Sequence, residues 1–172
     1  MVPGKRPSEA GATFVVRRAT IADVSALAAM RVASHGERYS GDPRRKDEFR
    51  AECEAFFTRE LSQPDPFMRA WLAFERNDPA RAIGTASLAL TPTFPRLTEP
   101  KRDIDARVRN VYVEPGSRRR GVARMLMLEL MAEVQRIGVR RITLGASAMG
   151  RPLYEALGFR QKADEMVYDL SV

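Results

Sequence analysis

Apolar residues along this chain change spacing several times, and the changes predict alternating strands and helices. Phe14–Arg18 (FVVRR) reads as a first strand. Thr20 then caps a helix with Asp23 as its capping-box partner, and Val24, Leu27, Ala28 and Met30 continue one face to about residue 34. Residues 35–43 hold two glycines and a proline and read as a loop. A second helix runs from 43 or 44 to 61, with Phe49, Cys53, Phe56 and Phe57 as its apolar positions, and Pro64 and Pro66 end it. Residues 67–75 (FMRAWLAFE) and 81–90 form the two strands of a hairpin around the turn 76–79. Residues 91–105 carry three prolines and form a long loop. Residues 107–114 (RVRNVYVE) are β-branched and alternating, a strong strand that Pro115 closes. Val122, Leu126, Leu130, Val134 and Ile137 step by three and four along a helix that Gly138 terminates. Residues 141–146 read as the next strand, 152–157 as a short helix ending at Gly158, and 159–163 with 166–170 as a closing strand pair.

A strand, a helix and a strand over residues 107–146 make a parallel βαβ unit. The full order is mixed α/β with one central sheet. Residues 1–12 are polar, with glycine and proline, and are expected to be a flexible tail. Residues 13–172 are expected to form one domain, a length at which roughly 70% of the unfolded surface can be buried.

Composition narrows the function. Hydrophobic residues are 44% and charged residues 30%, a globular balance. One cysteine (Cys53) excludes an intrachain disulfide and a Cys-rich zinc module, and one histidine (His35) excludes a two-His metal site. The first residues lack the apolar run of a signal peptide, and no window approaches the roughly 20 apolar residues that span a bilayer. With an unpaired cysteine, this places the expected location in the cytoplasm. Behind the net charge of +7 the basic residues are mostly arginine, with basic clusters at 44–46, 118–120 and 140–141. These suit phosphate, on a nucleic acid or a small molecule, or simply a solvated arginine-rich surface. No aromatic-rich strand motif, zinc pair or basic heptad helix accompanies the charge, so nucleic acid is not an expected partner.

The junction at 115–123 (PGSRRRGVA) carries the chemistry. A strand-to-helix turn leaves about four amide hydrogens without partners at the helix start, and the helix dipole draws an anion to them. Gly121 and Ala123 keep side-chain bulk low where a phosphate would approach. Gly116 and Gly121 have P-loop spacing, but Val122 and Ala123 stand where that motif needs Lys and Ser or Thr. A Rossmann glycine pattern is absent as well. On spacing alone the junction is either a pyrophosphate cradle or an ordinary turn with surface arginines.

Arg118, Gly121 and Ala123 fit the pattern Gln or Arg, two residues, Gly, one residue, Gly or Ala. The preceding Val111-Tyr112-Val113-Glu114-Pro115 and the downstream Leu153-Tyr154-Glu155-Ala156-Leu157-Gly158-Phe159 complete it. In these segments the chain resembles the GNAT superfamily of acetyl-CoA-dependent N-acetyltransferases. The resemblance is specific over about residues 107–160. It implies the GNAT-like acyltransferase fold, with a mixed sheet of about seven strands flanked by about four helices. It also implies acetyl transfer from acetyl-CoA directly to a primary amine, without an acyl-enzyme.

By the same resemblance, the backbone of Val111 and Val113 would bond the pantetheine arm. The amides of about Arg119 to Arg124, through Arg120, Gly121, Val122 and Ala123, would hold the pyrophosphate, and the side chains of Arg118 to Arg120 would either meet the nucleotide's other phosphate or stay solvated. Ser147 stands where the family often has an Asn facing the cofactor. An amide near Val113 would polarise the thioester carbonyl. Tyr154 would give a proton to the leaving thiolate, a phenol near pKa 10 being a workable donor to a thiol near 8.5. An alkyl amine is mostly protonated at neutral pH, so a base or a water chain is required. Glu75, Asp103, Asp105, Glu114 and His35 are candidates, though such carboxylates are more often solvated and such a histidine is more often a surface or loop-anchoring residue. Cys53 reads as structural. The expected partners are acetyl-CoA and an amine acceptor, whose pocket in this fold comes from loops 34–43 and 91–105; a homodimer is left open. The alternative is a non-catalytic acetyl-CoA-binding or regulatory module on the same fold.

Overall fold

The computed structural model describes residues 13–37, 39–94, 97 and 104–162. The tail expected at 1–12 and the final strand expected at 166–170 lie outside the described residues. Five strands form one sheet in the order β1-β2-β3-β4-β5. They are β1 (Phe14–Arg18), β2 (Met68–Glu75), β3 (Asp78–Pro92), β4 (Ile104–Val113) and β5 (Ile142–Thr143). Neighbours are antiparallel except β4 and β5, which are parallel and joined by a helix. The helices are α1 (Val24–Gly36), α2 (Arg44–Leu61), α3 (Val122–Arg136) and α4 (Arg151–Ala156). This is the expected mixed α/β architecture with five strands described rather than about seven. Residues 159–162 are irregular, where a strand was expected.

The sheet separates two apolar layers. Met68, Ala70, Leu72 and Phe74 of β2 meet Leu27, Ala28 and Met30 of α1 and Cys53 and Phe57 of α2. Trp71 and Ala73, on the opposite pleat, join Leu126, Met127, Leu130 and Val134 of α3. Both faces of β2 are covered, so its sequence reads as a nearly unbroken apolar run. Cys53 is a free, buried thiol whose pKa burial raises, as its structural reading anticipates.

The capping box is present: the Thr20 amide and hydroxyl both donate to Asp23, at 2.8 and 3.0 Å. Helix α1 runs past residue 34 through His35 and Gly36, which the sequence reading gave to a loop. The imidazole packs on Phe49 of α2, ring centroids 5.3 Å apart, and this contact favours the extra residues.

Two departures shape the cleft. Along β4, Arg109 pairs with Ser87 and Tyr112 with Thr85, so β4 has one residue more than β3 over that step. This is a β-bulge, and Asn110 sits in it with φ +51°. Asparagine tolerates that left-handed conformation better than most residues. The other departure is β5, expected over 141–146 but paired only at Ile142 and Thr143, opposite Ala106 and Arg107. Beyond that step the chain at 144–150 and the end of β4 form two walls of one cleft.

Candidate active site

The cleft has a volume of about 1000 Å³. Its lining takes residues 108–113 from β4, 144–150 from the segment after β5, and the bend that starts α3. Ladder alternation decides which β4 backbone groups face it. The Glu114 amide donates to the Ile83 carbonyl of β3 at 2.9 Å. Glu114 and Tyr112 therefore turn their peptide groups to β3, and Val111 and Val113 turn theirs to the opposite edge. That edge has no strand beside it after Arg107.

The bend follows directly. Arg119 and Gly121 both have positive φ, +61° and +88°. Met125 is the first residue of the helix to reach a carbonyl, that of Gly121, at 3.1 Å. Among the described residues, none of the amides of 119–124 donates to a protein acceptor. A Cβ built on Gly121 would meet no protein atom within 4 Å, so the space over these amides is open. Arg119, Gly121, Val122, Ala123 and Arg124 all line the cleft. A row of unsatisfied donors at a helix start, facing open space, is the arrangement that accepts an anion.

The arginine side chains divide differently from expectation. Arg118 turns inward: its Nε donates to the Val113 carbonyl at 2.9 Å, its guanidinium pairs with Glu37, and it lies 5.8 Å from the Tyr112 ring centroid. Arg120 lies over Phe14 and donates to Glu75 at 2.7 Å. Arg120 does not line the cleft, because β1 and β2 hold its side chain; its backbone remains part of the bend. Arg119 and Arg124 are exposed in the cleft lining.

Tyr154 of α4 is buried in the cleft wall, edge to face with Phe159 at 6.0 Å, and burial raises its phenol pKa. Gly150 lies beneath it, and a Cβ there would stand 2.9 Å from the Tyr154 ring. The ring therefore rests on bare backbone. Ser147 also lines the cleft, and its hydroxyl accepts the Gly150 amide at 3.1 Å, so its oxygen already helps start α4. Its own hydrogen remains available to donate.

Of the candidate bases among the described residues, only His35 lines the cleft. Glu75 is paired with Arg120, and Glu114 with Arg81 at 2.5 Å. Asp105 is on β4 outside the cleft lining, and Asp103 lies outside the described residues. Arg31, Glu37 and Asn110 line the cleft too, beyond the residues that the sequence motifs single out. The consecutive polar pair Arg109-Asn110 in an otherwise alternating strand was a signal for the bulge.

Residues 29–159 match the acetyltransferase (GNAT) family. The chain belongs to that family. The glucosamine 6-phosphate N-acetyltransferase of Trypanosoma brucei brucei is 32% identical over 90 residues, which are 52% of this chain and 58% of that protein. The match thus spans little more than half the length of that relative. A predicted acetyltransferase from Clostridium acetobutylicum, solved with acetyl-CoA, is 26% identical with a TM-score of 0.73, over 91% of this chain and 96% of that one. The Arabidopsis thaliana glucosamine-6-phosphate N-acetyltransferase shares the fold at a TM-score of 0.67 and 18% identity, covering 93% of this chain and all of that one (100%). Among the described residues no helix is long and apolar enough to cross a membrane, and no group of three His, Cys, Asp or Glu could hold a metal ion.

Proposed function

We propose that residues 13–172 act as one domain that transfers an acetyl group from acetyl-CoA directly to a primary amine. The observation that carries this is the row of unpartnered amides at 119–124, continuous with the open edge of β4. The residues fit the cofactor's chemistry: the amide row suits a diphosphate, and the Val111 peptide and the Val113 amide, on the edge that no strand covers, suit an amide-bearing arm laid along them. Arg119 and Arg124 add positive charge at the entrance. When bound, acetyl-CoA supplies an acetyl group activated as a thioester.

The protein's part is to hold, orient and move protons. The Val113 amide is turned to the cleft and can donate to a carbonyl there. Arg118 grips the Val113 carbonyl and so fixes the tilt of that peptide. Tyr154 keeps its proton at neutral pH, because burial raises its pKa, and can donate it to a thiolate. His35, on the α1 wall of the cleft, is the candidate to accept a proton from the amine.

Calorimetry with acetyl-CoA tests the cradle. Gly121→Val forces a β-branched residue into φ +88° and puts its side chain into the open space over the amides. Acetyl-CoA affinity should fall at least about 100-fold, while the backbone cost stays near 1–2 kcal/mol, which a folded domain tolerates. Unchanged affinity would show that the cradle lies elsewhere. Release of free thiol with a panel of amines separates turnover from binding without turnover.

A further inference from the structure

The α1 wall of the cleft holds donors that the protein's own groups leave unsatisfied. Arg31 is half-buried there, and among the described residues it makes no ion pair. Its guanidinium donates to the Asn110 side-chain oxygen across a long 3.4 Å contact. A guanidinium offers only donors, so this contact turns the amide oxygen of Asn110 to Arg31 and its Nδ2 away. That Nδ2 is buried and has no hydrogen-bond partner. Arg109, also in the lining, is close enough to disfavour the charge on Arg31, and burial disfavours it more strongly. Glu37 lines the same wall, but Arg118 occupies its carboxylate. Two arginines thus line a cavity with no carboxylate of their own to answer them, and behind them lies a buried amide without a partner.

Position along β4 separates this cluster from the amide row. Arg31 and Asn110 meet just before Val111, whereas the row begins after Val113. A cofactor lying along Val111, Val113 and the α3 bend leaves the Arg31 end of the cleft to the other substrate. We propose that Arg31 and Asn110 form a subsite for an anionic group on the acceptor, so that the substrate is a primary amine also bearing a carboxylate or a phosphate. This rests on the transferase reading above for the identity of the second ligand, but its donor set stands on its own geometry.

The test uses matched amines that differ only in the anion: serine against serinamide for the carboxylate, and glucosamine 6-phosphate against glucosamine for the phosphate. Binding of each to the protein alone is measured by calorimetry, and acetyl transfer by thiol release. The acidic member of at least one pair should bind about tenfold tighter or better and show the same preference in kcat/KM, as charge-assisted hydrogen bonds warrant. The pair that responds tells which anion is read. Arg31→Met should erase the preference while acetyl-CoA affinity stays within about threefold, and Arg31→Lys should keep part of it, retaining charge without the planar fork. Asn110→Asp, which places a carboxylate against Arg31 and suits the same backbone conformation, should erase it too. Equal or better binding of the neutral members, no binding by either acidic member, or a preference surviving both Arg31→Met and Asn110→Asp would overturn the proposal. Failure of acetyl-CoA to bind while the acid preference persists would instead overturn the transferase reading.

Discussion

Tyr154 combines a buried ring with a place in the cleft wall, and burial is what keeps its proton in place. Removing the hydroxyl leaves the packing against Phe159 and over Gly150 intact. Tyr154→Phe should therefore lower kcat by about 100-fold, the low end for a general acid, with acetyl-CoA affinity changed less than about threefold. Its raised pKa adds a sign. The donor stays protonated throughout the neutral range, so its deprotonation limits the rate only above the ordinary phenol value near 10. A pH–rate profile of kcat that loses a high-pH limb in the Phe variant would agree; identical profiles and rates would assign the proton to water. Arg118 teaches a different lesson. The pattern marks it for the cofactor, yet its side chain serves the Val113 carbonyl and Glu37 rather than open space. A string of three arginines does not say which one faces the ligand.

Two carboxylates tie the helices to the sheet. Asp23 accepts both Arg17 nitrogens at 2.8 Å and the Thr20 amide, which hold its pKa down to about 2. Glu133 of α3 accepts Arg136 at 2.7 Å and Arg69 of β2 at 2.5 Å, with Arg18 of β1 at 3.7 Å, and it too is lowered to about 2. The unfolded values are 3.8 and 4.5, so both pairs contribute fully above about pH 5. That contribution is lost as pH falls through the interval from about 4.5 to 2. Unfolding followed by circular dichroism should show it, and Glu133→Gln should cost about 3 kcal/mol at pH 7. The variant should also flatten the acid limb. A variant as stable as the parent at pH 7 would mean that Arg69 and Arg18 find other partners.

Across the whole molecule, the net charge is +7, and Arg31, Arg109, Arg119 and Arg124 are among the residues that line the cleft. The long-range attraction of such charge is screened over roughly 10 Å at 0.1 M salt and 3 Å at 1 M. The association rate of acetyl-CoA should accordingly fall at least about threefold over that range, with dissociation changing less. Stopped-flow binding measures both, and a flat association rate would leave the arginine excess with no part in capture. The sequence by itself determined the element order from β1 to α4, because spacing of three and four or of two decides which face can be buried. It also determined the α3 bend, because unsatisfied amides at a helix start are a local property of Gly121 and its neighbours. What only the tertiary structure decided is how strands and side chains meet at long range. The bulge at Asn110, the early parting of β5 from β4, the capture of Arg118 by Glu37 and the meeting of Arg31 with Asn110 depend on contacts between distant segments. No local pattern of residues encodes such contacts, since each is fixed only when the sheet and α1 pack together.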